Sequence, residues 1–145
     1  MKDQLSNRIN SLPVSETLAM AAKARELKEQ GKNIISLSLG EPDFNTPDFI
    51  KEAAIQAIHD NYSTYSPVDG YLDLKQAICR KFKRDNNLDY KPNQIVVSTG
   101  AKQSIANIAM VLLNPGDEVL LPAPYWVSYS AIATLAEATY KEIPS

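Results

Sequence analysis

The chain has 145 residues, 44% of them hydrophobic, which is enough for the core of one compact domain and excludes an intrinsically disordered chain. Its 15 basic and 17 acidic side chains leave a net charge of −2, spread without long blocks, so no footprint for nucleic acid or a membrane surface is present. One cysteine, Cys79, and one histidine, His59, leave neither a disulfide framework nor a zinc-type ligand cluster, no apolar run approaches the ~20 residues that span a bilayer, and the opening MKDQLSNRIN lacks a secretory leader; a reducing, cytoplasmic setting is expected.

The first predicted element is a helix from about Ser15 to Gln30. Ser15 caps it, Met20, Ala24 and Leu27 share a stripe, and Gly31 stops it. IISLSLG, residues 34–40, reads as a short β-rich run ending in glycine. Glu41-Pro42-Asp43-Phe44-Asn45-Thr46-Pro47 cannot be regular structure, because two prolines and several turn-formers interrupt it. Thr46 as cap and Pro47 at the first helical position then open a second helix, with Ile50, Ala53, Ala54, Ala57 and Ile58 at helical spacing.

Residues 61–71, NYSTYSPVDGY, read as a polar, aromatic loop, followed by a third helix carried by Leu74, Ile78 and Phe82. From residue 94 the pattern alternates. Strands are expected at IVVS (95–98), EVLL (118–121) and TYKEI (139–143). One helix between them is striped by Ile105, Ile108, Ala109 and Leu112, and another follows Trp126. Such alternation predicts an α/β sheet of parallel strands covered by helices. Asn114-Pro115-Gly116-Asp117 has the order of a type II turn.

Ligands in open α/β sheets gather at the carboxyl ends of strands. Ser98-Thr99-Gly100-Ala101-Lys102-Gln103 passes from strand to helix through small residues, which lets an anion approach backbone N–H groups at the positive end of the helix dipole. Lys102 opposes that dipole unless an anion is bound. The alternative is an ordinary tight turn with a solvated lysine. Trp126 follows Pro122-Ala123-Pro124-Tyr125 at the end of the next strand, and could stack on an aromatic cofactor or pack in the core. Tyr65 is either a hydroxyl donor or a surface aromatic. Gly40 either permits close backbone approach of a ligand or simply serves its turn. His59 and Cys79 lie in helical patterns and read as structural.

Ser38-Leu39-Gly40-Glu41-Pro42-Asp43-Phe44, Tyr65-Ser66-Pro67 with Gly70, Gly100-Ala101-Lys102-Gln103, Asn114-Pro115-Gly116-Asp117-Glu118-Val119 and Pro124-Tyr125-Trp126-Val127-Ser128-Tyr129 occur in this order. Together they resemble the class I, fold type I aminotransferases that use pyridoxal 5'-phosphate (PLP), most like the bacterial aspartate aminotransferase subgroup. The resemblance runs from about Leu5 to Ser145. It implies the N-terminal part of a three-layer α/β fold with a mostly parallel sheet. Residues 1–46 would form the N-terminal arm and a small-domain segment, and residues 47–145 the first part of the large PLP-binding domain.

By that resemblance Gly40 contacts the substrate carboxylate through its backbone. Gly100, Ala101 and Lys102 cradle the PLP phosphate, and Trp126 stacks on the pyridine ring and borders the substrate. Tyr65 reaches across a homodimer interface to the partner subunit's PLP phosphate. The peptide bond before Pro124 is commonly cis in the family. The reaction moves an amino group from aspartate to 2-oxoglutarate, with PLP as the electron sink. The family's Asn-Pro-x-Asn-Pro-Thr-Gly motif, ring-nitrogen aspartate, Schiff-base lysine and substrate-clamping arginine are expected beyond Ser145. No catalytic residue is therefore assigned here, and this chain by itself is expected neither to transaminate nor to retain PLP. Close alternatives are another amino-acid aminotransferase or a carbon–sulfur lyase. More distant ones are an aminotransferase-like sensor of a transcription regulator and a non-catalytic anion-binding module.

Overall fold

A computed structural model describes residues 4–37 and 40–145. The chain divides into two compact units, one built from the segment up to Glu41 together with Gly100–Ser145, the other from Pro42–Thr99.

The first unit opens with a short helix, α1 (Asn7–Asn10), which the sequence reading did not anticipate, its first turn capped by the Ser6 hydroxyl at the Ile9 N–H. Helix α2 (Glu16–Glu29) starts as expected, with Ser15 Oγ accepting from the Leu18 N–H at 3.4 Å. Of its expected stripe, Ala24 and Leu27 are half-buried, whereas Met20 is exposed. Ile34–Leu37 form no ladder, and the next two positions of the expected strand, Ser38 and Leu39, lie outside the described residues.

After α5 (Ala101–Leu112) the chain turns at Asn114–Asp117. The Asp117 N–H donates to the Asn114 carbonyl, and the Asp117 carboxylate accepts from the Asn114 N–H at 2.7 Å. Strand β1 (Glu118–Ala123), helix α6 (Ser128–Leu135) and strand β2 (Thr139–Pro144) complete a β–α–β unit. The strands pair in parallel, Glu118 opposite Thr139 through to Ala123 opposite Pro144. Parallel pairing follows from the helical crossover, since only a connection of that length returns the chain in the same direction. Along β1, Val119, Leu121 and Ala123 turn inward with the period of two that a half-covered strand requires. Helix α6 packs on both strands and on α5, and Ala109, Ile132 and Ala136 form the apolar centre. Beside it an apolar cavity of about 350 Å³ runs between α5, α6 and β1, lined by Ile105, Leu112, Leu121 and Tyr129 among others.

The second unit holds α3 (Asp48–His59), α4 (Leu72–Asn86) and a 3-10 turn (Pro92–Gln94) that leads into irregular backbone. Helix α3 corrects the sequence reading by one residue. Pro47 is itself the cap, extended at φ −52° and ψ 141°, and its carbonyl takes the Ile50 and Lys51 N–H groups. Thr46 does not cap, and Asp48, paired with Lys51, supplies the acid of the first turn. The apolar positions Ile50 and Ile58 are exposed. The loop over 61–71 is as expected.

The strand expected at 95–98 is also corrected. Ile95 is extended, at φ −112° and ψ 130°, but residues 95–98 join no sheet, and the Val97 N–H donates to the Asp69 carbonyl instead. Extended backbone becomes a strand only when a neighbour presents a matching row of donors and acceptors. Gly70 sits under this stretch at φ +98°, where a Cβ would stand 2.5 Å from Val97 Cγ2. Lys75, buried on α4, is satisfied by an ion pair to Asp69, whose carboxyl it holds below the ordinary carboxylate range.

Candidate active site

At the start of α5, Gly100 has φ +89° and ψ 160°, a conformation open to glycine and strained for other residues, and a Cβ there would meet nothing within 4 Å. No side chain caps this helix, and no acidic residue stands in its first turn. The opening amides of Ala101 and Lys102 belong to the four that a helix start leaves without intrahelical partners, at the end where the helix dipole favours an anion.

The carboxyl end of β1 supplies the second wall. The Ala123–Pro124 bond is cis, as the family resemblance leads one to expect. Beyond it, the Trp126 carbonyl accepts from the Tyr129 N–H at 3.0 Å, which ties the tryptophan to the first turn of α6. The indole is 47% exposed, so it is not buried as a core side chain. Lys102 Nζ lies 5.5 Å from the centroid of its ring, within cation–π range. The structure thus brings the Lys102 ammonium to the ring of Trp126, with the indole partly open and the Gly100 turn at the start of α5.

Gly40 is exposed, with nothing within 4 Å of a built Cβ. Tyr65 belongs to the Pro42–Thr99 unit and is fully exposed there. One arrangement at the site escaped the sequence reading. Tyr125 Oη donates to Glu142 Oε1 at 2.6 Å, and that carboxylate holds the phenol above its ordinary value of 10.0. The signal for it lay in the parallel register, which sets Glu142 opposite Leu121, two residues before the end of β1. Among the described residues no group of three or more histidine, cysteine, aspartate or glutamate side chains is placed to hold a metal ion. Nor is any helix among them long and apolar enough to cross a membrane.

The family model for aminotransferase class I and II matches residues 32–145, and the chain belongs to that family. It is 53% identical over 136 residues to an aspartate aminotransferase of Bacillus sp. (strain YM-2), covering 94% of this chain and 35% of that relative. It is also 53% identical over 134 residues to an aspartate/prephenate aminotransferase of Nitrosomonas europaea, covering 92% of this chain and 34% of the relative. The crystal structure of the aspartate aminotransferase from Rhizobium meliloti superposes with a TM-score of 0.92 at 46% identity, over 98% of this chain and 36% of that one. The chain thus spans about a third of the length of the relatives it matches.

Proposed function

We propose that the whole protein to which this chain belongs is a PLP-dependent aminotransferase that moves the amino group of aspartate to 2-oxoglutarate, and that this chain supplies one wall of its cofactor site. The observation that carries the reading is the juxtaposition of Lys102 with Trp126 at the uncapped start of α5.

The residues present fit the cofactor. The amides of Gly100, Ala101 and Lys102 would receive its phosphate, where the helix end and the Lys102 ammonium both favour negative charge. Trp126 would offer the pyridine ring a flat apolar face. Gly40 would meet the substrate carboxylate with its backbone, and Tyr65, exposed as an interface residue must be before assembly, would serve the phosphate site of a partner subunit in a homodimer. When bound, the cofactor supplies an electron sink for the carbon that carries the amino group. The residues assigned here bind and orient; the covalent and proton-transferring groups belong to family motifs that this chain does not contain. On the same reading, residues 1–46 form the arm and small-domain segment and residues 47–145 open the large domain. The unpaired Cys79 suits a reducing cytoplasm.

Absorbance titration with PLP, then with aspartate, tests the proposal on this chain and on the whole protein. The whole protein is expected to bind stoichiometrically, to shift its cofactor absorbance with aspartate and to shift it back with 2-oxoglutarate. This chain is expected to bind weakly, since phosphate contacts and stacking of about 1–3 kcal/mol each barely offset the cost of association. Tight binding or turnover by the 145-residue chain would overturn the division of labour. A second acceptor, prephenate, is favoured by the name of the Nitrosomonas europaea relative, and the same titration with prephenate in place of 2-oxoglutarate decides between them.

A further inference from the structure

The tryptophan that forms the aromatic wall is not immobilised by its surroundings. Nearly half its surface is open, and Lys102 is a long, flexible neighbour. Its place depends on the short loop between β1 and α6. That loop is tied at one end by the Trp126 carbonyl and the Tyr129 N–H. At the other end stands Tyr125, whose hydroxyl reaches out of the loop to Glu142 on β2, at 2.6 Å. A hydroxyl donating to a carboxylate at that distance belongs to the strong, charge-assisted class of hydrogen bonds.

Both partners are cheap to hold in place. Tyrosine has only two side-chain torsions to fix. Glu142 is carried on backbone already held by the ladder to Leu121.

We propose that Tyr125 is a positioning residue: with Glu142 it latches the β1–α6 loop to the neighbouring strand and so sets the orientation of the Trp126 indole. The assignment of that indole to a cofactor ring rests on the proposed function, whereas the latch itself does not. Tyr125 touches no reacting atom in this scheme. It acts through the residue that follows it.

Trp126 is the sole tryptophan of the chain, so its fluorescence reports on this loop alone. Acrylamide quenching and anisotropy of the 145-residue chain are compared for wild type, Tyr125→Phe, Glu142→Ala and Glu142→Gln, with far-UV circular dichroism as the folding control. A lost charge-assisted bond frees the loop, so Tyr125→Phe and Glu142→Ala are expected to raise the quenching constant roughly twofold, while Glu142→Gln, which keeps an acceptor but not its charge, falls between them and wild type. Should Tyr125→Phe unfold, the two exposed Glu142 variants carry the test. Quenching unchanged in Tyr125→Phe and Glu142→Ala, or equally raised in Glu142→Gln and Glu142→Ala, overturns the latch.

In the whole protein, the PLP dissociation constant of Tyr125→Phe is expected to rise about fivefold, which Glu142→Gln does not fully reproduce. An unchanged constant overturns the positioning role. If the wild-type whole protein binds no PLP, the cofactor reading fails, and the quenching experiment still judges the latch.

Discussion

The unit that carries Gly100–Lys102 and Trp126 is ordered by a parallel ladder and by apolar contact. Among the described residues, its buried ones are Ala109, Leu121, Ile132, Ala133, Ala136 and Ala138. The Pro42–Thr99 unit is ordered differently, with one buried aliphatic side chain, Ile95, and one buried charge, Lys75. What holds Asp69–Val97 together is the ion pair of Asp69 with Lys75, the Val97 N–H on the Asp69 carbonyl, and the absence of a side chain at Gly70. The contrast is between shape and charge. Apolar burial is non-directional and tolerates small shifts, whereas a pinned loop depends on a few atoms in fixed places. The β–α–β frame behind the candidate cofactor wall stands on the first kind of support, the Trp126 loop on the Tyr125–Glu142 bond, and the loop of Tyr65 lies in the unit with the second.

Three changes would break or sharpen that contrast. The largest effect is expected at Gly70→Ala, which combines a positive φ with a Cβ only 2.5 Å from Val97. The Pro42–Thr99 unit should lose about 2–4 kcal/mol, read as a shift of the urea midpoint, and an unmoved midpoint would show that the pinned loop does not set its stability.

Next comes Ile132→Ala in the apolar centre of the other unit. Its cost should be about 2–3 kcal/mol, toward the lower part of the usual range, because the cavity beside it already leaves that side chain incompletely surrounded. A loss no larger than that of an exposed-site control such as Ile58→Ala would deny the cluster its role.

The smallest effect is electrostatic and confined to acid. Arg84 first, then Lys81, holds the Asp85 carboxyl down at about 2 from its ordinary value of 3.8. A depressed carboxylate stabilises the fold above its unfolded value and ceases to do so as pH falls through the folded one. The contribution of Asp85 should therefore be complete above about pH 4 and fade toward pH 2, with Asp85→Asn flattening that part of the profile. Hydrogen exchange of α4 amides across this window measures it, and identical profiles in wild type and variant would remove Asp85 from the account.

Much of this architecture was legible from residue order. Helical spacing placed α2, α4, α5 and α6, Ser15 announced its cap, and Asn114–Asp117 its turn. These are local decisions, made by torsional preference and by side chains within a turn of one another. The misreadings share one cause. At Thr46-Pro47 either residue could start a helix, and the choice fell to the one whose carbonyl met the first free amides. At Ile95–Ser98 the β-branched Ile95, Val96 and Val97 favour extended backbone, which Ile95 adopts, but a ladder also needs a neighbour.

The sequence by itself determined the family, the parallel β–α–β unit and the presence of a glycine at the turn into α5, because each is written in short-range pattern. Only the tertiary structure decided that Lys102 stands over Trp126 and that Tyr125 reaches Glu142, contacts that join residues from different elements. Their separation is set by strand register and by the packing of helices on a sheet, and no local propensity encodes either.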